Sequence, residues 1–290
     1  MPGRFTEGNM HGLKISNEEY RLRAGISSTD IKRMAQSMAH YKYYYDHPES
    51  KDTPALQFGR AYHKYCLEPS DFYNEFAVAP NIDRRTKAGK EEWAEFVAES
   101  DGLEIITQDT LQVLDDMRNA LYATPYVKKL IYGFHEESFF WNDEATDLYC
   151  KCRPDSYGSV GKQPIIVDLK TCQSADTQKF MRDAVRLNYD IQAAHYCNGM
   201  KTVTGDDYIF VFVAQEKTPP YLCNVLQSDE YFMQSGADTR LALLEMYKEC
   251  LAKDDWCGYM GFRDEVQISS LGLPDWMKKA YGYVDCEVDE

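Results

Sequence analysis

The stretch Pro164-Ile165-Ile166-Val167-Asp168-Leu169-Lys170-Thr171 restricts the folds open to this chain more than any other segment. Its apolar residues predict a short strand over Pro164 to Leu169, and a strand sends successive side chains to opposite faces. Asp168 and Lys170 therefore share one face, and Val167 and Leu169 share the other. An ionised acid and an amine two positions apart then form a mixed-charge pair beside the core. Read alone, such a triplet is often a surface ion pair worth at most about 1 kcal/mol.

A second acid changes the reading. Leu148 to Asp155 also has strand character and finishes in Cys152-Arg153-Pro154-Asp155. If Asp155 ends the neighbouring strand, two carboxylates and one ammonium meet at one point. Close carboxylates repel unless a positive charge lies between them, and a divalent metal is the usual solution. Hard oxygen ligands select Mg2+ or Mn2+ over zinc. Such an ion polarises a phosphoryl oxygen and lowers the pKa of a bound water. Lys170 then holds that water or stabilises charge developing on phosphate.

Composition sets outer bounds. The chain has 290 residues, 44% hydrophobic and 27% charged, a globular balance that argues against disorder and coiled coil. No apolar run approaches the roughly 18 residues of a membrane span. The N-terminus lacks a signal-peptide core, so the chain reads as soluble, cytoplasmic and without a membrane partner. The net charge of −15 speaks against a broad basic DNA-binding surface, although a cleft can be locally basic or made so by bound cations. Nine cysteines, scattered and without a CxxC pair, predict reduced thiols; no iron–sulfur cluster is expected.

Along the chain, residues 1–25 read as a flexible arm. Ser27 or Ser28 caps an expected helix from Thr29 to about Tyr45, and a second helix covers Pro54 to Leu67. Helices are also expected from the loop at Ala79–Lys90 to about Glu99, and from Thr107 to Tyr122. After Gly133 the texture changes. Strands are expected at Glu136–Trp141, Leu148–Asp155, Pro164–Leu169, Tyr208–Gln215 and Tyr221–Leu226, with helices at Ser174–Arg186, Asp190–Met200 and Asp229–Ala252. The order predicts an α/β core with a helical N-terminal annex: one domain over 26–254, mainly helical to 132, followed by a tail at 255–290.

Five ordered motifs, spread over about 26–250, resemble the PD-(D/E)XK nucleases of the RecB-like branch. Pro154-Asp155 and Asp168-Leu169-Lys170 look like the signature itself. Gly59-Arg60-Ala61-Tyr62-His63 is similar to the upstream histidine motif, Glu136 to Trp141 to the acidic strand, and Tyr189 to Tyr196 to the glutamine helix. Ile26 to Lys32 and Arg85 to Lys90 resemble RecE-type exonucleases (exonuclease VIII-like) of phages and prophages.

The resemblance implies a restriction-endonuclease-like mixed central sheet flanked by helices. It further implies a Mg2+-dependent exodeoxyribonuclease, with Mn2+ as a possible substitute and two ions per site. Such an enzyme digests linear double-stranded DNA 5′→3′, leaving 3′ single strands for recombination in a bacterial or phage-infected cell. Its expected partners are DNA ends, further copies of itself in a trimeric or tetrameric ring, and a RecT-like single-strand annealing protein. Carried over by position, His63, Glu136, Asp155, Asp168 and the Leu169 carbonyl are metal ligands or their supports. Asp155, Asp168, Lys170 and Gln192 are catalytic. Glu136 is preferred to Glu137, which a strand would turn to the opposite face.

Each site residue also has a plainer reading. His63 sits among aromatic residues as a half-buried histidine often does, a rim hydrogen bond accounts equally for Gln192, and His195 lies off the stripe. The basic loop residues Arg84, Arg85, Lys87 and Lys90 suit phosphate contact or plain solvation. The Tyr41 to Tyr45 cluster is a packing face or a base-stacking surface. The alternative function is a non-catalytic DNA-binding or assembly module on a degenerate nuclease fold, against which Asp155, Asp168 and Lys170 are all present.

Overall fold

The computed structural model describes residues 8–48 and 53–281. Its first half is β1 (Met10–Leu13), α1 (Asn17–Leu22), α2 (Ser28–Gln36), α3 (Met38–Asp46), α4 (Pro54–Leu67), α5 (Phe72–Glu75), β2 (Phe76–Ala79), α6 (Lys87–Glu99), β3 (Glu104–Thr107), α7 (Gln108–Ala123) and α8 (Val127–Leu130). The second half is β4 (Phe134–His135), β5 (Ser138–Asn142), β6 (Tyr149–Cys152), β7 (Ser156–Val160), β8 (Gln163–Cys172), α9 (Thr177–Arg186), α10 (Tyr189–Thr204), β9 (Ile209–Glu216), β10 (Cys223–Gln227), α11 (Glu230–Lys253) and α12 (Asp275–Ala280).

The central sheet runs β10-β9-β8-β7-β4. Its β8–β9 pair is parallel and the other pairs are antiparallel, so it is mixed. A parallel pair needs a long crossover, and α9 and α10 fill it. The two faces of the sheet feed two cores. Ile166, Phe210, Phe212 and Ala214 pack with Ile31, Met34, Phe180, Ile191 and Leu244 from α2, α9, α10 and α11. Ile165, Val167, Leu169 and Val213 pack with Ala61, Tyr62, Leu114 and Met117 from α4 and α7. The helical annex therefore shares both cores with the sheet.

Four expectations are corrected. Residues 1–25 are not a loose arm where described: β1 pairs with β5, and Ser16 caps α1; residues 1–7 lie outside the described range. The expected Thr29–Tyr45 helix is two helices, because Ser37, extended at φ −177°, places its hydroxyl on the His40 N–H and starts α3 anew. Leu148–Asp155 is not one strand. β6 stops at Cys152, before Pro154, which has no N–H for a ladder, and the chain crosses from a three-stranded sheet, β1-β5-β6, into the central one. Asp155 thus precedes β7 instead of ending β6. The parallel β2–β3 pair was not expected at all.

Close packing fixes the layers. A Cβ on Gly199 of α10 would come within 2.3 Å of the Trp141 ring on β5, so only glycine lets helix and strand approach this far. Part of the expected tail packs too: Cys257 and Phe262 are buried, and the Cys257 carbonyl accepts the Ala39 N–H at 3.0 Å. The cysteines among the described residues are free thiols. Among those residues no helix is long and apolar enough to cross a membrane.

Candidate active site

The site forms where β7 and β8 begin to diverge, past their last pair, Ser156↔Val167. Strand alternation in β8 sends Val167 and Leu169 into the α4–α7 core and leaves Asp168 and Lys170 on the α10 side. Asp155 bridges the gap between the strands. Its Oδ2 accepts the Leu169 N–H at 2.7 Å. The N–H and C=O of one strand residue point to the same edge, so the Leu169 carbonyl also faces the Asp155 side.

His63 reaches the same point from α4. Thr53 caps that helix, Pro54 occupies its first turn, and Tyr62 donates its hydroxyl to Gln215 on β9, which fixes the helix rotation. His63 Nδ1 then lies 3.3 Å from Asp155 Oδ1. Glu136 arrives from the β4–β5 link. Its N–H donates to the Asp155 carbonyl at 3.3 Å, and its backbone takes the left-handed conformation at φ 51°. That conformation is costly for a non-glycine residue and recurs at functional sites. Glu137 turns away and accepts the Tyr157 hydroxyl at 2.5 Å. One ligand atom each from His63, Glu136 and Asp155 lies within 4.8 Å of the others.

Asp168 adjoins this trio with both oxygens engaged. Oδ2 pairs with the Lys170 ammonium, and Oδ1 accepts Gln192 Nε2 at 2.6 Å. Gln192 comes from α10, and its Oε1 accepts Lys32 Nζ at 2.8 Å. Lys32 and Lys170 each lie 4.9 Å from the centroid of the Tyr189 ring.

Crowded charges set the protonation. Burial works against a charged His63, yet Asp155 and then Glu136 raise its pKa to about 9. Burial and Asp155 push Glu136 up to about 7, against the pull of His63 and Arg153. Asp155 stays below the usual carboxylate range: burial opposes ionisation, but His63, Lys170 and the Leu169 N–H outweigh it. Burial raises Asp168 despite Lys170. Lys170 is held protonated by Asp168 and Asp155 although burial disfavours its charge.

The fold thus gathers His63, Glu136, Asp155, Asp168, Leu169, Lys170 and Gln192. Arg84, Arg85, Lys87 and Lys90 stand apart from this cluster in their contacts. Arg84 stacks on Trp93 at 4.4 Å, Arg85 grips Asp83 through two nitrogens, and Lys87 lies 3.8 Å from Glu91. His195 is core structure. It accepts Arg240 Nε at 3.1 Å, and burial and Arg240 lower its pKa to about 3.

Three neighbours escaped sequence reasoning. Arg153 donates to Glu136 Oε2 at 2.9 Å, Lys32 donates to Gln192, and the Tyr189 ring centroid lies 4.9 Å from each of the two lysine nitrogens. Arg153 carried a signal, a base two positions before Asp155. Lys32 closes the Ile26 to Lys32 motif, but nothing in that motif gave the lysine a role of its own.

A mixed sheet covered on both faces, with Pro154-Asp155 and Asp168-Leu169-Lys170 at the divergence of two of its strands, defines a PD-(D/E)XK fold of the restriction-endonuclease-like class. The chain belongs to the family described as PDDEXK-like domain of unknown function (DUF3799), whose model matches residues 27–266. It is similar to a solved "putative exonuclease" from Eubacterium rectale, with 15% identity, a TM-score of 0.57, and coverage of 94% of this chain and 100% of that one. At that identity the likeness is one of fold. The solved structure of SSO0001, at 14% identity over 78% of this chain and 81% of that one, has a TM-score of 0.33 and does not bear on the fold. No curated protein matches the sequence.

Proposed function

We propose that this chain is a Mg2+-dependent exodeoxyribonuclease that digests linear double-stranded DNA, 5′→3′, leaving 3′ single strands for recombination. The observation that carries the reading is the convergence of His63, Glu136 and Asp155 donors within 4.8 Å beside the buried Asp168–Lys170 pair. Two hard carboxylate donors and one borderline imidazole nitrogen form a set that fits a divalent cation. Glu136 and Asp155 raise each other's energy when both are ionised, a repulsion that a cation relieves.

His63, Glu136 and Asp155 would hold the ion, with Asp168 and the Leu169 carbonyl beside them for a second. Bound there, Mg2+ or Mn2+ polarises the phosphodiester and supplies a water of lowered pKa. Lys170, protonated and oriented by Asp168, stabilises negative charge building on the phosphate oxygens. Gln192 fixes the Asp168 carboxylate through Oδ1 and so aims Lys170. Arg153 holds Glu136 in place. Water oxygen joins phosphorus and sheds a proton to solvent, one P–O ester bond breaks, and the leaving oxygen takes up a proton from solvent.

The finer assignments rest on the resemblance of Ile26–Lys32 and Arg85–Lys90 to RecE-type exonucleases. They comprise the polarity, a trimeric or tetrameric ring with its sites in the central channel, a RecT-like annealing partner, and work in the cytoplasm of a bacterial or phage-infected cell. Arg84, Arg85, Lys87 and Lys90 contact the DNA backbone in this reading. The test is a time course on linear duplex labelled at either end, with a circular duplex in parallel, in Mg2+ and in chelator. Loss of the 5′ label first, from linear DNA alone and in Mg2+ alone, supports the reading. Cutting of the circle would make the enzyme an endonuclease.

A further inference from the structure

Helix α2 brings a second ammonium to the site. Its position is tightly set: Ser27 and Asp30 form a reciprocal capping box, and Ile31 and Met34 are buried in the core on either side of Lys32. Lys32 is half-buried. Among the described residues it forms no ion pair with a carboxylate, whereas Lys170 has Asp168 and Arg153 has Glu136. Its contacts are one amide oxygen, Gln192 Oε1 at 2.8 Å, and the face of Tyr189. An ammonium has three donors, and Gln192 uses one.

A half-buried cation with no carboxylate in ion-pair contact is unfavourable as structure, since an apolar side chain of similar length would pack there at less cost. Lys170 adds like-charge repulsion, and burial together with Lys170 lowers the Lys32 pKa to about 7, against the smaller opposing pull of Asp168 and Asp190. An anion seated between the two amines removes both penalties at once. Resting on the nuclease reading, we infer that Lys32 is a phosphate-binding residue: its ammonium and that of Lys170, on the shared Tyr189 ring, hold one backbone phosphate of the DNA strand being cut. Gln192 links the two cationic arms, touching Lys32 with its oxygen and Asp168 with its nitrogen. A phosphate gripped by Lys32 is thereby set in register with the Asp168–Lys170 pair.

The experiment compares wild type, Lys32→Met, Lys32→Arg and Asp168→Asn. Binding of labelled linear duplex is measured over a salt series with Ca2+ replacing Mg2+, cleavage is measured in Mg2+, and Mn2+ binding to the protein alone is followed by calorimetry. Lys32→Met should flatten the slope of log affinity against log salt by about 0.9, the value for one lost phosphate contact. Its cleavage should fall about 10- to 100-fold, in line with one lost charged contact, while Mn2+ affinity is unchanged. Lys32→Arg should keep the wild-type slope. Should Lys32→Met misfold, a Lys32→Gln variant gives the same reading. An unchanged slope in the neutral variant, or a loss of Mn2+ affinity matching the loss of cleavage, overturns the inference; the latter would make Lys32 a support for Gln192 and Asp168. Wild type that cleaves no DNA overturns the nuclease reading and the inference together. Wild type that cleaves, Asp168→Asn that does not, and Lys32→Met equal to wild type overturn the inference alone.

Discussion

Asp155 Oδ2 accepts the Leu169 N–H at 2.7 Å while Oδ1 of the same carboxylate faces His63 Nδ1 at 3.3 Å. One side chain thus ties the opened edge of β8 to helix α4 and brings the His63, Glu136 and Asp155 donors together. Asp155→Asn keeps an acceptor for the Leu169 N–H and removes the charge. The variant should fold normally by circular dichroism, bind Mn2+ on the order of 100-fold more weakly and lose cleavage. Wild-type Mn2+ affinity in calorimetry would remove Asp155 from the ligand set.

The Asp168–Lys170 pair should reveal itself in stability as well as turnover. Lys170→Met strands Asp168, which is 1% exposed, and breaking such a pair costs about 3 kcal/mol or more. Adding Asp168→Asn removes the orphaned charge and should restore most of that stability in urea unfolding. Cleavage should stay absent from both variants. A double variant no more stable than the single one would contradict this account of the pair.

Metal-free stability should depend on pH in an unusual sense. Glu136, raised from 4.5 to about 7, and His63, raised from 6.5 to about 9, both bind protons more tightly in the folded state. Their contribution is full below the unfolded pKa values and is lost as pH rises through about 7 and then about 9. Without metal, the melting temperature should fall across that window. Divalent metal needs the deprotonated ligands, so the stabilisation it adds should grow over the same window. A metal-induced shift that shrinks with rising pH would contradict these assignments.

Far from the site, Gly199→Ala should test the α10–β5 contact. The new methyl would meet Trp141 at 2.3 Å, and overpacking of this kind costs about 1–3 kcal/mol. Thermal unfolding should show the loss, while cleavage well below the transition stays near wild type.

The basic loop makes a weaker claim on DNA. Asp83 already neutralises Arg85 through two hydrogen bonds, so Arg85→Ala should flatten the salt dependence of DNA binding by less than one full phosphate contact. An unchanged slope would remove Arg85 from the interface.

Much of this was legible in the sequence for identifiable reasons. Pro54–Leu67 announced itself through Thr53 and Pro54, and α11 through Asp229. Alternation in β8 alone placed Asp168 and Lys170 together. Spacing could not show that Pro154 marks a crossing between sheets, because a proline ends a ladder without saying where the chain goes next. The four-residue β2 and β3 are too short for periodicity to separate from loop, and their pairing depends on residues 28 positions apart. Ser37 looked like an ordinary helix residue until its hydroxyl was seen to cap α3. Glu136 was chosen as a strand residue, but the chain there is left-handed, and it is this turn that sends Glu136 to Asp155 and Glu137 to Tyr157. The Ile26 to Lys32 motif gave Lys32 no role, because its partner lies 160 residues away.

Cleavage of linear duplex DNA by wild type and Asp155→Asn, each in Mg2+ and in chelator, tests the central claim most directly. The expected result is steady shortening by wild type in Mg2+ and none in the other three reactions. Intact DNA with wild type in Mg2+, or equal digestion by the variant, would contradict it.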